Sequence, residues 1–403
     1  MDSSTAFRSS NIRCVTILDC WFWIHSLFTF LQVTLCPSSS GNHTVGSSHL
    51  KLKTIVNFNW DVDYYPGHLS SVHKSGIYVA YAILTPGNEG VVRVLNQKTE
   101  QRTLLKGMKG RVKDLAFAHT LDEIILGCVD EAGNLFVFLI KNSSESNLLH
   151  EKILQVNGTN PTHPNDHHRI IWCPYLPDED ELEETTCIGS SSPAKLLVLT
   201  HNEVATMWNV SMVIKSKGAG PHADPAQIEH GRLEVRSHSK AITAASFSPD
   251  GTALATASLD GEVKFFQVYM TGASDEKPRC LHQWSPHKGS PVTSLFFLDN
   301  HKDHSTDAQF WKYAITGSSH NSELKIWSCE SWTCLQTVTF ESSVGRDDEN
   351  DNEEGSEAFG KRSMFKAAMD LRAKFIILSD IYRKNIYILQ LQEVSQWILM
   401  SFE

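Results

Sequence analysis

The sequence predicts an all-β chain built from repeated four-stranded sheets, and three observations carry that reading. Short runs rich in β-branched and aromatic residues recur along most of the chain, each bounded by turn-forming residues. Within Ser237 to Phe266, three such runs (Ile242 to Phe247, Ala253 to Ser258, Val263 to Phe266) are separated by Pro249-Asp250-Gly251 and Leu259-Asp260-Gly261. Each Gly stands where a tight turn needs φ > 0, so the runs form an antiparallel meander, with Arg279 to Trp284 as its outer strand. Comparable units then recur at intervals of roughly forty to sixty residues. One four-stranded sheet is too small to stand alone; a β-propeller of such sheets leaves no edge open.

The stretch FSPDGTALATASLDGEVKFF, from Phe247 to Phe266, resembles a WD40 repeat. His238 takes the place of the repeat's histidine and Phe265-Phe266 that of its closing Ile-Trp pair. In that family a His, a strand Ser or Thr, a turn Asp and the terminal Trp form a buried hydrogen-bonded tetrad. The resemblance assigns these roles to His238, Ser258, Asp260 and Phe266. Phe has no N–H, so the tetrad's last bond is missing here.

Taken in order, residues 1–48 differ from the rest. Cys14 to Cys36 is mostly apolar and long enough to span a membrane, and Asn42-His43-Thr44 is a glycosylation sequon. Asp19 and His25 interrupt that run, at a cost of roughly 2.5–3.5 kcal/mol for an acid near a helix centre. The expectation is an N-terminal extension outside the propeller, with a signal or membrane anchor over 14–36 as the alternative. The propeller is expected over 49–392, beginning with a strand at Leu50 to Trp60 and followed by a short non-repeat tail, 393–403.

The first blade reads as Ile77 to Ile83, Val91 to Leu95 and Gln101 to Leu105. The second takes Val112 to Phe117, Glu123 to Cys128, Leu135 to Ile140 and Lys152 to Val156, with Asp130 in the place Asp260 holds later. The third runs Ile170 to Cys173, Lys195 to Leu199, Val204 to Val210 and Leu233 to Arg236. Its Trp208 sits at the WD40 tryptophan position with Asn209 for the repeat's Asp, and Lys215 to Gly231 is a long connection. The fifth holds Val292 to Leu298, Lys312 to Gly317, Leu324 to Trp327 and Thr333 to Thr339, with Trp327 a second such tryptophan. A sixth comprises Phe365 to Leu371, Lys374 to Leu378 and Asn385 to Leu391, without an outer strand. Six blades of a usual seven are therefore recognisable, the last truncated.

Further segments carry a closer resemblance: WDVDYYPGHL (60–69), RTLLKG (102–107), DLAFAH (114–119), DEAGNLFVF (130–138), RIIWCPYLP (169–177), KPRCLHQW (277–284) and SWTCLQTV (331–338). Together they resemble the enhancer of mRNA-decapping protein 4 family from about Lys51 to Gln392. The resemblance implies a non-catalytic scaffold in 5'-to-3' mRNA decay, with the decapping catalytic subunit and its activator as partners. It also implies a cytoplasmic, processing-body location. The hydrophobic leader departs from the family's polar N-terminus, and its closing blade, Ser-rich linker and C-terminal helical region are not found.

Composition agrees with an interaction module. The nine Cys are scattered without a CxxC pair, so neither a zinc ribbon nor a disulfide framework is indicated, which favours a reducing compartment. The formal net charge of −10 comes largely from two acidic runs, Asp178 to Glu184 and Asp347 to Glu357, which read as solvated loops. Global charge signals no nucleic-acid binding. No phosphate loop, GxSxG or HExxH occurs, so no enzyme and no cofactor is expected. Two histidine clusters are candidate metal ligands: His163, His167 and His168, and His301 and His304 with Asp299 and Asp303. Neither has the spacing of a complete site, so no metal is expected from sequence.

Overall fold

Tight turns between successive apolar runs force chain neighbours to pair antiparallel, and the sheets follow that rule. The computed structural model describes residues 31–35, 55–56, 58–143, 147–158, 163, 166–174, 195–217, 220–228, 230–268, 278–298, 312–340, 364–370, 375–381, 386–394 and 397–402. The chain divides into two compact units, Tyr65–Trp311 and a second comprising Met1–Tyr64 with Lys312–Glu403. After β1 (Leu31–Leu35), the first blade is β2 (Ser70–Val72), β3 (Tyr78–Leu84), β4 (Gly90–Asn96) and β5 (Arg102–Leu105). The second is β6 (Val112–Phe117), β7 (Ile124–Asp130), β8 (Leu135–Lys141) and β9 (Leu149–Val156). The third is β10 (His168–Trp172), β11 (Leu196–His201) and β12 (Val204–Asn209); α1 (Val210–Ser216) and β13 (His222–Ala223) precede its outer strand, β14 (Arg232–Arg236). The fourth is β15 (Ile242–Phe247), β16 (Ala253–Ser258), β17 (Val263–Gln267) and β18 (Cys280–Trp284), and β19 (Val292–Phe297) packs on β15 and β16. In the other unit, β20 (Tyr313–Ser318), β21 (Glu323–Ser328) and β22 (Cys334–Phe340) form the fifth sheet's meander. The sixth sheet is β23 (Phe365–Asp370), β24 (Phe375–Asp380), β25 (Ile386–Val394) and β26 (Trp397–Phe402). These six sheets are the blades of a WD40-type β-propeller fold.

In the Tyr65–Trp311 unit the core lies between successive sheets. Val92 and Leu105 of the first blade meet Leu126 and Phe138 of the second. Val129 and Leu154 of the second meet Leu197 and Trp208 of the third, joined by Val213 of α1. Val198 and Met207 of the third meet Leu254 and Phe266 of the fourth. Middle strands are thus covered on both faces, and β16 is buried at all six positions. This explains continuous apolar runs where a half-exposed sheet would alternate.

Several expectations are corrected. The first blade has an inner strand, β2, that the short, polar Ser70-Ser71-Val72 did not announce, and the described part of Leu50 to Trp60 lies outside any strand. The tail does carry the sixth blade's outer strand: β26 pairs with β25 from Leu389↔Phe402 to Val394↔Trp397. Ser395-Gln396 has no Gly, Pro or Asn to mark that hairpin, so pattern reading stops short of it. Part of the leader also joins a sheet. β1 pairs in parallel with β22, from Leu31↔Gln336 to Leu35↔Phe340, covering an outer edge whose backbone groups would otherwise lack strand partners. The long connection Lys215 to Gly231 is not plain loop: α1 begins just before it, and β13 pairs in parallel with β9.

The inner strands of this unit converge on one buried ion pair. Asp114 on β6 is fully buried and accepts from Arg169 Nε (2.9 Å), the Ile170 N–H (2.7 Å) and the His68 N–H (2.7 Å). Arg169, on β10, also donates to the Thr243 carbonyl of β15 (3.0 Å), to the Pro66 carbonyl and to His68 Nδ1. Gly67 admits this approach, because a Cβ there would stand 2.0 Å from the Lys113 carbonyl oxygen. Burial opposes ionisation of Asp114, but the Arg169 charge and the His68 hydrogen bond outweigh it and hold the carboxyl far below the usual range.

Arg169→Ala, which strands a buried carboxylate, is expected to cost roughly 3–5 kcal/mol in urea unfolding at neutral pH. Because the folded-state pKa of Asp114 is depressed, its contribution is complete above the unfolded value near ~3.9 and fades as pH falls below it. The acid sensitivity of unfolding below pH ~4 should accordingly be shallower in Asp114→Asn than in the parent; identical slopes would show that Asp114 does not carry it.

Candidate functional site

In the fourth blade three polar side chains are linked by hydrogen bonds, and they are not the four-residue set expected from the repeat. His238 Nδ1 lies 3.0 Å from Asp260 Oδ2 and its Nε2 lies 2.8 Å from Thr256 Oγ1. Burial, only partly opposed by Asp260, lowers the His238 pKa, so the ring is neutral at neutral pH. Nδ1–H therefore donates to Asp260 and Nε2 accepts from the Thr256 hydroxyl. Asp260 also accepts from the Ser239 and Glu262 N–H groups, which fixes the turn.

Thr256 rather than Ser258 is the strand hydroxyl of this chain of bonds. Ser258, two residues on and on the same face, donates to the Lys240 carbonyl and accepts from the Asp260 N–H. Spacing alone does not separate the two. Phe266 does occupy the tryptophan position: it pairs with Leu254, two residues before Thr256, just as Trp327 pairs with Ala314, two before Thr316. In the fifth blade the missing bond exists, with Trp327 Nε1 donating to Thr316 Oγ1 at 2.9 Å.

The other blades keep fragments of the pattern. Trp208 pairs with Leu197, so the hydroxyl position falls on Leu199, and the buried indole N–H has no hydrogen-bond partner among the described residues. Arg232 lies over its ring at 5.7 Å. Asn209, which replaces the repeat's Asp, instead caps α1 by accepting from the Met212 N–H. Asp130 pairs with Val112 as Ser258 pairs with Ile242, so by register it matches Ser258 and not Asp260. Its carboxylate nevertheless accepts the Lys109 N–H as Asp260 accepts that of Ser239, and it also binds Asn134. Burial raises its pKa against those hydrogen bonds.

Of the candidate metal-ligand clusters, His301 and His304 with Asp299 and Asp303 lie outside the described residues, as do both acidic runs. The other cluster is partly assembled. His163 N–H and the Asn202 amide donate to Asp166, and the His167 N–H donates to Asn202 Oδ1. His168 Nδ1 faces His201 Nδ1 at 3.2 Å. Reading the sequence missed Asp166 and His201. The pairing His168↔His201 brings the latter in from β11, beyond the acidic insertion.

The comparisons decide the family. A family model described as the WD40 region of Ge1, enhancer of mRNA-decapping protein, matches residues 46–396. The chain belongs to this family. It is similar to Enhancer of mRNA-decapping protein 4 of Danio rerio, 41% identical over 355 residues, covering 88% of this chain and 24% of the relative. The Homo sapiens protein of that name is 40% identical over 363 residues, with 89% and 24% covered. The Drosophila melanogaster homolog is 37% identical over 366 residues, with 88% and 25% covered. The chain thus spans about a quarter of the length of the curated relatives it matches. Among the described residues no helix is long and apolar enough to cross a membrane.

Trp327→Phe, which removes the N–H that Thr316 accepts, should destabilise by roughly 0.5–1.5 kcal/mol. Phe266→Trp supplies the matching donor to Thr256 and should stabilise by a similar amount, less any overpacking against Met207 and Val198. Adding Thr256→Val to Phe266→Trp should abolish the gain; an undiminished gain in that double variant would show that the indole bonds elsewhere.

Proposed function

We propose that this chain is a non-catalytic scaffold of the mRNA-decapping machinery that recruits the decapping catalytic subunit and its activator. The match to the Ge1 WD40 region over residues 46–396 carries this reading. The names of the relatives, enhancers of decapping, fit a protein that promotes the reaction of another. Asp114 and Arg169 join inner strands, and His238, Thr256 and Asp260 brace one sheet, so these polar groups serve the fold. Holding two partners on one surface replaces a bimolecular encounter by a tethered one, with effective concentrations of about millimolar for short flexible links. The same reading places the chain in the cytoplasm and in processing bodies. The leader's Leu31–Leu35, paired with β22 as a strand, supports it over a membrane anchor across 14–36.

The purified chain is expected to bring down the catalytic subunit and activator together. It should raise the decapping rate of a limiting mixture of the two while removing no cap alone. Binding to neither protein, or cap removal by the chain alone, would overturn the proposal.

A further inference from the structure

The geometry at the start of the third blade points to a divalent transition-metal site of the Zn2+ type, which we propose is formed by His168, His201 and Asp166. Among the described residues these three offer ligand atoms that all lie within 4.8 Å of one another. They come from separate segments: Asp166 from the loop before β10, His168 from the first residue of β10, and His201 from the last residue of β11.

The distances suit a shared ion. A tetrahedral Zn2+ with bonds of about 2.0–2.1 Å sets its nitrogen ligands about 3.3–3.4 Å apart. The two Nδ1 atoms stand at 3.2 Å, with ring centroids 4.7 Å apart. Without a cation, one of these nitrogens must carry a proton and donate to the other; with one, both present lone pairs, the form in which imidazole ligates.

The surroundings also suit it. His168 is buried. Asp166 accepts hydrogen bonds from the His163 N–H and the Asn202 amide. Those two donors leave each carboxylate oxygen a further lone pair and fix its orientation, the usual task of groups behind a ligand. Lys113, the nearby cation that opposes a positive ion, is itself beside Glu131 at 3.9 Å.

Two imidazoles and a carboxylate favour Zn2+ and its first-row neighbours over Mg2+ or Ca2+, which prefer oxygen. Asp166 and His201 are part-exposed, so an ion can enter and a water completes the coordination. Bound there, it would tie the loop before β10 to the β11–β12 turn.

The test uses the full chain, stripped with a chelator and dialysed, then titrated with Zn2+ by calorimetry and with Co2+ by visible absorption. One tight equivalent is expected, with the d–d bands of four-coordinate Co2+ and a Zn2+-dependent rise in thermal midpoint that EDTA reverses. His201→Gln and Asp166→Asn should each weaken that equivalent by at least about 10-fold and remove the bands. Their thermal midpoints in EDTA, compared with the parent's, verify that they fold. No uptake by the parent would overturn the site and leave a hydrogen-bonded histidine pair. Uptake with bands unchanged in both variants would overturn it equally, by placing the metal on other histidines. If a variant fails to fold, the parent's Co2+ bands and their loss on competition with Zn2+ decide the matter.

Discussion

The pairing of Asp114 with Arg169 is the constraint on which the Tyr65–Trp311 unit depends. One carboxylate accepts hydrogen bonds from segments of the first and third blades, and its guanidinium partner reaches the fourth. Two charges removed from water are costly unless every lone pair and N–H is satisfied. Small slips of one sheet against its neighbour would leave part of this set unpaired. Apolar packing between blades tolerates such slips far better, because contact area changes little with a small slide. The ion pair therefore adds geometric specificity to a core whose bulk stability comes from the interblade clusters of Leu, Val and Phe.

The tetrads show the same division of labour at the level of single sheets. In the fourth blade the bonds run from Thr256 through His238 to Asp260, and the turn is held by the carboxylate. Where a member is missing, packing takes over: Phe266 fills the tryptophan position between Leu254 and Met207, and Trp208 lies under Arg232 with no hydroxyl to meet. A blade can lose a polar bond worth about 1 kcal/mol and keep its shape, because its faces remain covered by neighbouring sheets. This is why the repeat signature is so uneven along the chain while the meander is not.

Edges are handled by borrowed strands. β13 lies parallel to β9, and β1 lies parallel to β22, so two outer strands gain partners from segments with no repeat pattern of their own. Such pairing satisfies backbone groups without demanding a particular sequence.

By itself the sequence determined what is local. Period-two and continuous apolar runs marked most strands, Asp-Gly turns marked the hairpins, and the meander followed from short connections between neighbours. His238, Asp260 and Phe266 could be placed because they sit at fixed offsets from one turn. What only the tertiary structure decided involves register and distance. Thr256 rather than Ser258 meets His238, a choice between two same-face hydroxyls that no spacing rule resolves. β26 depends on a hairpin without turn chemistry. Asp114 and Arg169 lie 55 residues apart, and His168 and His201 lie 33 apart across the acidic insertion. Their side chains meet because sheet packing and strand register bring them together, and neither leaves a trace in the residues between.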